Sequence, residues 1–254
     1  MKTIQYLFLL LICLSYQACN QCDEVILEPC GGSSDRPMVD LIVIMDHSQS
    51  MADDAQAVSD ASEAAIQEAA GLCDTDLEVT YLGVDGAEFA DATLFATTHR
   101  QYLYALHGTS LPLAADTLSP VGQLAEQGAD AVADLSVNFD WRENACRAIL
   151  YISDEPLDGN TSPTVTDAAI ANAIARANEN GVTVFTIFFP MAVFNTPLHI
   201  AEYQNLSENA NGEAYINAGV GGADGVFNGE IYIELLPKAV CQACNACKLN
   251  RFVE

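Results

Sequence analysis

Basic residues are what this 254-residue chain has least of: nine Lys and Arg stand against 35 Asp and Glu, a formal charge of −26. A field of that sign repels polyphosphates and anionic lipid, which argues against nucleic-acid binding and against electrostatic attachment to membranes. Long apolar runs are missing as well. The run from Tyr6 to Leu14 falls well short of the roughly 20 residues a spanning helix needs, and no later run reaches that length, so no transmembrane segment is expected. Lysine is absent between Lys2 and Lys238, and the histidines, His47, His99, His107 and His199, are scattered. There is no glycine-rich phosphate loop, no zinc-protease motif and no Ser/His/Asp set in a suitable context, so no common hydrolytic or nucleotide-dependent chemistry is indicated.

What is present begins with an export signal. Met1-Lys2, the apolar run to Leu14 and the small or polar residues up to Ala18 read as a signal peptide over residues 1–18. An extracellular location follows, either secreted or held at the cell surface. Cleavage there would leave Cys19 first, a position also used for lipid anchors, although Tyr16-Gln17-Ala18 matches that signal poorly. Loss of Lys2 takes the charge to −27 and leaves eight cysteines, Cys19, Cys22, Cys30, Cys73, Cys146, Cys241, Cys244 and Cys247. An even number in an oxidising compartment points to disulfides, and their clustering near both ends suggests bridges that tie the ends together. The Cys241-x-x-Cys244-x-x-Cys247 run offers no fourth ligand for zinc, so disulfides are the preferred reading there too. Two sequons, at Asn160 and Asn205, would carry glycans in a eukaryotic secretory pathway.

About 235 mature residues suit one core better than two. Residues 19–37 read as a cysteine-containing lead-in, 38–240 as the domain and 241–254 as a cysteine-rich tail. Apolar strand patterns at 39–45, 77–84, 148–152 and 182–189 alternate with helical ones at 52–72 and 167–180, and a short strand at 214–217 and a helix at 230–240 follow. Strands this continuously apolar belong to a parallel sheet covered on both faces, which gives a doubly wound α/β fold with a mainly parallel central sheet flanked by helices.

In such folds ligands bind beyond the carboxyl ends of the strands. The first strand ends in Asp46-His47-Ser48-Gln49-Ser50, and a later one in Tyr151-Ile152-Ser153-Asp154. A strand-end carboxylate followed by hydroxyls at alternate positions supplies hard oxygen donors, which suit Mg²⁺ or Mn²⁺, and Asp154 brings a second carboxylate to the same rim. A D-x-S-x-S string alone is weak evidence, since Asp and Ser are common turn residues. Its place between an apolar strand and a helix makes it stronger.

The segment from Val39 to Met51, with Asp46, Ser48 and Ser50 in place, resembles the metal-ion-dependent adhesion site of von Willebrand factor A domains. Ala52-Asp53-Asp54, and Trp141 to Arg147 leading into the strand that ends at Asp154, bring it nearest to the I-like domain of integrin β subunits. The resemblance covers roughly residues 38–240 and implies a cation held by Asp46, Ser48, Ser50 and Asp154. It further implies a Ca²⁺ site at Asp53 and Asp54, for which the alternative is an acidic first helical turn. Alignment back from Trp141 puts Asp130 where the family has its mid-chain ligand, with Thr109 as the competitor.

These features make a non-enzymatic adhesion module the expected function, one that binds a protein partner's Asp or Glu through the cation. Two rivals differ in kind: an Mg²⁺-dependent phosphohydrolase with Asp46 as nucleophile, and a metal-free assembly scaffold. The first is short of its usual second Asp, whose place Ser48 takes, and of a nearby lysine.

Overall fold

The computed structural model describes residues 36–46, 48–84, 93–114, 127–157, 163–190, 194, 196–216 and 229–251. The signal peptide, Cys19, Cys22, Cys30, the Asn160 sequon, His47 and nearly all of the lead-in lie outside these residues. Five strands, β1 (Met38–Met45), β2 (Asp76–Gly83), β3 (Cys146–Ser153), β4 (Val182–Phe188) and β5 (Ala214–Ile216), form one sheet in the order β2-β1-β3-β4-β5. Every pairing is parallel. The helices are α1 (Ala52–Cys73), α2 (His99–His107), α3 (Gly128–Asn138), α4 (Pro163–Glu179), α5 (Pro197–Glu208) and α6 (Gly229–Arg251). The doubly wound α/β fold expected from the strand pattern is therefore what forms.

The two faces of the sheet have separate cores. Val39, Leu41, Val43 and Met45 of β1 point to α1 and α6, where they meet Ala55, Val58, Ala65, Leu236 and Val240. Ile42 and Ile44 point the other way, towards Leu103, Val132, Leu135, Ile170 and Tyr203 of α2 to α5. The period of two along a strand requires this division once both faces are covered. Alanine on α1 lets α6 approach closely: a Cβ added to Gly229 would stand 2.8 Å from the Ala61 Cβ.

Chain order places the functional rim. From β1 the chain passes to β2 on one side and then crosses to β3 on the other, so the winding reverses between β1 and β3. The crevice above the carboxyl ends of those two strands is the natural binding position in such a sheet. Both strand ends carry an aspartate at that point, Asp46 and Asp154.

One sequence expectation changes. The last helix runs on past Val240 to Arg251, because Cys241, Ala243 and Cys244 continue its buried stripe. The expected tie between the chain ends would involve Cys19, Cys22 and Cys30, which lie outside the described residues; the bridges seen pair Cys73 with Cys241 and Cys146 with Cys247. They fasten α6 to the end of α1 and to the start of β3, and Cys244 is disulfide-bonded as well. Among the described residues no helix is long and apolar enough to cross a membrane.

Gly212, in the turn that leads into β5, packs against the backbone of β4. A Cβ there would lie 1.9 Å from the Val184 carbonyl oxygen. Gly212→Ala is expected to cost about 2 kcal/mol through this overlap, read as a lower urea midpoint at unchanged slope.

Candidate metal centre

Asp46 follows the last residue of β1 and is fully buried. Its amide extends the ladder by donating to the Ile152 carbonyl at 2.9 Å. Its carboxylate closes the turn: Oδ1 accepts the Ser48 N–H at 2.7 Å and Oδ2 accepts the Ser153 hydroxyl at 2.7 Å. A 3₁₀ turn at Gln49–Met51 then leads into α1. This turn brings the Ser48 and Ser50 hydroxyls within 2.7 Å of each other, and the Ser50 hydroxyl donates to Asp154 Oδ1 at 3.4 Å. Asp46, Ser48, Ser50 and Asp154 thus meet in one place, as the sequence predicts.

Ser153 is a part of the site that the sequence reading passed over. The register pairs Met45 with Ile152, so the residues one step beyond, Asp46 and Ser153, face each other. A polar residue ending an apolar strand at that register position was the available signal. Ser153 Oγ also accepts the Glu155 N–H at 3.0 Å. From the other side, the phenol of buried Tyr203 donates to the Glu155 carbonyl at 2.6 Å. Tyr203 is held by stacking on Phe188 with ring centroids 4.0 Å apart. The 153–155 turn, and with it Asp154, is fixed between β1 and α5.

Asp130 sits buried in the first turn of α3. The start of that helix is seated closely, since a Cβ on Gly128 would fall 2.4 Å from the Tyr151 ring and Ala129 N–H donates to the Leu157 carbonyl at 3.2 Å. Thr109 is exposed, two residues beyond His107, whose Nε2 lies 2.7 Å from the carbonyl of Asn138 at the far end of α3. Eight helical residues at 1.5 Å each put Asn138 about 12 Å from Asp130. In the first turn of α1, Asp53 is exposed and Asp54 buried, as befits neighbours about 100° apart on a helix.

Two buried carboxylates side by side carry an electrostatic cost. Burial, and then the charge of Asp46, push the Asp154 carboxyl up to about 7 from its ordinary 3.8. No cationic side chain is among the groups that act on it. Burial likewise raises the Tyr203 phenol well above its usual value, so it stays a neutral donor. Among the described residues no three His, Cys, Asp or Glu side chains group as a metal site. The donor set is two carboxylates and two hydroxyls, all hard oxygens short of positive charge, and that chemistry fits a divalent cation such as Mg²⁺.

The charge has a pH signature. The folded carboxyl keeps its proton up to about 7 while the unfolded one releases it near 3.8, so folding takes up a proton between those values. The metal-free protein is therefore expected to lose stability as pH rises through that window and to level off above it. A cation bound at Asp154 would displace the same proton. Mn²⁺ affinity should rise about tenfold per unit below pH 7 and flatten above it, which titration calorimetry at pH 5.5, 6.5 and 8 would read. A flat profile over that range would remove Asp154 from the ligand set.

Neither a family model nor a curated protein matches the chain. Among solved structures, proximal thread matrix protein 1 from the mussel byssus aligns with 85% of this chain at 10% identity and a TM-score of 0.46. A form of that protein with a zinc-occupied MIDAS motif aligns at 12% identity and 0.45. The pilus adhesin SpaC of Lactobacillus rhamnosus GG, in its open conformation, aligns with 82% of the chain at 14% identity and 0.49. The chain spans 47% of the length of the first two and 30% of the third. At this level the likeness says nothing of function.

Proposed function

We propose that this protein is an extracellular binding module that takes an Asp or Glu carboxylate of a protein partner at a divalent cation held by Asp46, Ser48, Ser50 and Asp154. The observation that carries the reading is the meeting of two buried strand-end carboxylates with two hydroxyls on one hydrogen-bonded chain. Mg²⁺ or Mn²⁺ would supply Lewis acidity for an incoming anion, which two carboxylates and two neutral hydroxyls leave partly unquenched. The chain's own residues set the geometry. Ser153 and the Ser48 amide fix both Asp46 oxygens, while Tyr203 and Ser153 pin the turn that carries Asp154.

Asp130 is the preferred further ligand. It is buried in the turn of α3 that abuts Tyr151 and Leu157 of the same rim, whereas exposed Thr109 lies beyond the far end of that helix. A Ca²⁺ at Asp53 and Asp54 belongs to the same reading and rests on the resemblance alone. The negative surface requires a partner with basic residues around its acidic contact. Disulfides at Cys73–Cys241 and Cys146–Cys247 fit an oxidising compartment outside the cell, secreted or tethered there by a lipid on Cys19. The phosphohydrolase alternative fares worse, because Ser48 stands where its usual second Asp would be and no lysine lies between Lys2 and Lys238.

Titration of the full chain with Mg²⁺, Mn²⁺ and Ca²⁺ tests the reading. Saturable binding, together with EDTA-sensitive capture of beads that carry an acidic peptide, is the expected result. No heat above buffer would leave the metal-free scaffold, and phosphatase turnover that disappears in Asp46→Asn would make the protein an enzyme.

A further inference from the structure

Among the described residues no strand covers the outer edge of β2. Even-numbered amides of this strand face β1, as the bonds from Asp76 N–H to the Pro37 carbonyl (3.0 Å) and from Val84 N–H to the Met45 carbonyl (2.8 Å) establish. Those of Leu77, Val79 and Tyr81 therefore face outward. Among the described residues this edge is closed only at its carboxyl end, where Gly83 N–H donates to the Thr97 carbonyl at 2.9 Å and Gly83 bridges Thr98. Leu77, Val79 and Tyr81 make no backbone bond on that side. An edge of this kind is a template for one more strand.

Next to it, on the face that carries Glu78 and Thr80, lies a cavity of ≈ 150 Å³ walled by Tyr102, Phe139, Asp140 and Arg142. The Tyr102 and Phe139 rings stack with centroids 5.2 Å apart. Three carboxylates, those of Asp40, Glu78 and Asp140, line the cavity against the single guanidinium of Arg142, so it carries two net negative charges. Arg142 is shared among Asp40, Asp76 and Glu78, the last at 3.3 Å, and Glu78 keeps 64% of its side chain exposed. The Tyr102 phenol is raised above its ordinary value by burial and then by Asp140 and Glu78, so both carboxylates act on the same small space.

A residue on a strand added beside β2 points alternately to the two faces. Every second side chain would then stand next to Glu78 and Thr80, at the mouth of the cavity. We propose that the outer edge of β2 takes up an extended segment of a basic partner as an added strand, with one Lys or Arg side chain entering the cavity between Glu78 and Asp140. Charge selects this occupant over a second copy of the chain. Antiparallel pairing of two β2 edges through Leu77, Val79 and Tyr81 would make the Glu78 side chains of the two copies diagonal neighbours and bring two net-negative cavities to one seam, where like charges repel.

The test uses the full chain in EDTA, which silences the proposed cation site, and a fluorescent peptide of alternating Lys and Val read by anisotropy. Three comparisons decide it. The same peptide N-methylated at every backbone amide keeps its charge but has both edges blocked and cannot extend a sheet, and should bind at least tenfold more weakly. A Glu-Val peptide should not bind. The Glu78→Gln/Asp140→Asn variant should lose about tenfold, and Val79→Pro, which removes an outward N–H and none of the ladder bonds to β1, should lose as much. Equal binding of the N-methylated peptide would reduce the effect to charge alone and overturn the proposal, and this arm needs no folded variant. No binding of the Lys-Val peptide, or a dimer in sedimentation that Val79→Pro abolishes, would overturn it as well.

Discussion

Asp46→Asn is expected to lower Mg²⁺ and Mn²⁺ affinity by a hundredfold or more while making the metal-free protein more stable. The two effects have one cause. Asn retains the shape of Asp46, so its carbonyl oxygen still accepts the Ser48 amide, and the Ser153 hydroxyl can turn from Asp46 Oδ2 to the Glu155 carbonyl, 3.4 Å away. What is lost is the charge. A hard cation then has one carboxylate fewer, and the charge of its ligands sets much of its affinity. Asp154 meanwhile loses its repelling neighbour, and its carboxyl falls back from about 7 towards the ordinary range. Relief of that repulsion is worth about 1–2 kcal/mol at pH 8 and little at pH 5, where Asp154 in the parent is already protonated. Calorimetric titration and urea denaturation at both pH values separate the outcomes. A variant that binds Mn²⁺ as well as the parent would dismiss Asp46 as a ligand, and a loss of stability at pH 8 would mean that its charge is compensated by some other group.

The site and its frame were legible in the sequence to different depths, for physical reasons. Strands β1, β3 and β4 are buried on both faces, and continuous Val, Ile, Leu and Phe runs announce that environment. Asp46 and Asp154 could be paired from sequence because the winding rule alone brings those strand ends together. Ser153 escaped notice because its role depends on register, which the run of residues around it does not display. Three helices were not foreseen for related reasons. Helix α3 buries Asp130, Asp134 and Ser136 among small apolar residues, so no contrast between faces marks it. Helix α5 carries a Thr196 N-cap followed by Pro197 but a weak apolar stripe, whereas α2 has a capping box at Thr98 and Gln101 and a contrast between its faces but is only nine residues long. Helix α6 was cut short at Val240 because cysteines were read as bridge-bearing tail, whereas Cys241 and Cys244 are core residues of a helix as well as disulfide partners.

Arg142→Ala is expected to cost about 3 kcal/mol of stability and to leave cation binding untouched. Arg142 closes the end of the sheet opposite the site. Its guanidinium bonds to the Asp40 carboxylate, donates to Asp76 Oδ2 at 3.2 Å and reaches the carbonyls of Val39 and Asp76 at 3.0 and 3.1 Å. Asp40 is the costly partner, with only 6% of its side chain exposed. Once the guanidinium is gone, Asp40 keeps the Arg142 amide at 2.7 Å but no opposite charge against it, and an unbalanced buried carboxylate costs several kcal/mol. Partial exposure of Arg142 discounts that figure, and for a domain of this size a loss of about 3 kcal/mol lowers the melting temperature by roughly 6–12 °C. Lys at position 142 should recover little, because one ammonium cannot span two carboxylates and two carbonyls at once. Asp40→Asn in the Arg142→Ala background should recover more, since it removes the stranded charge itself. The six residues from Asp40 to Asp46 span about 20 Å of strand, which is why Mn²⁺ affinity should not move in any of these variants. A cost below 1 kcal/mol, or no rescue by Asp40→Asn, would show that water reaches Asp40 freely and that the Arg142 cluster does little to hold β1 and β2 in register.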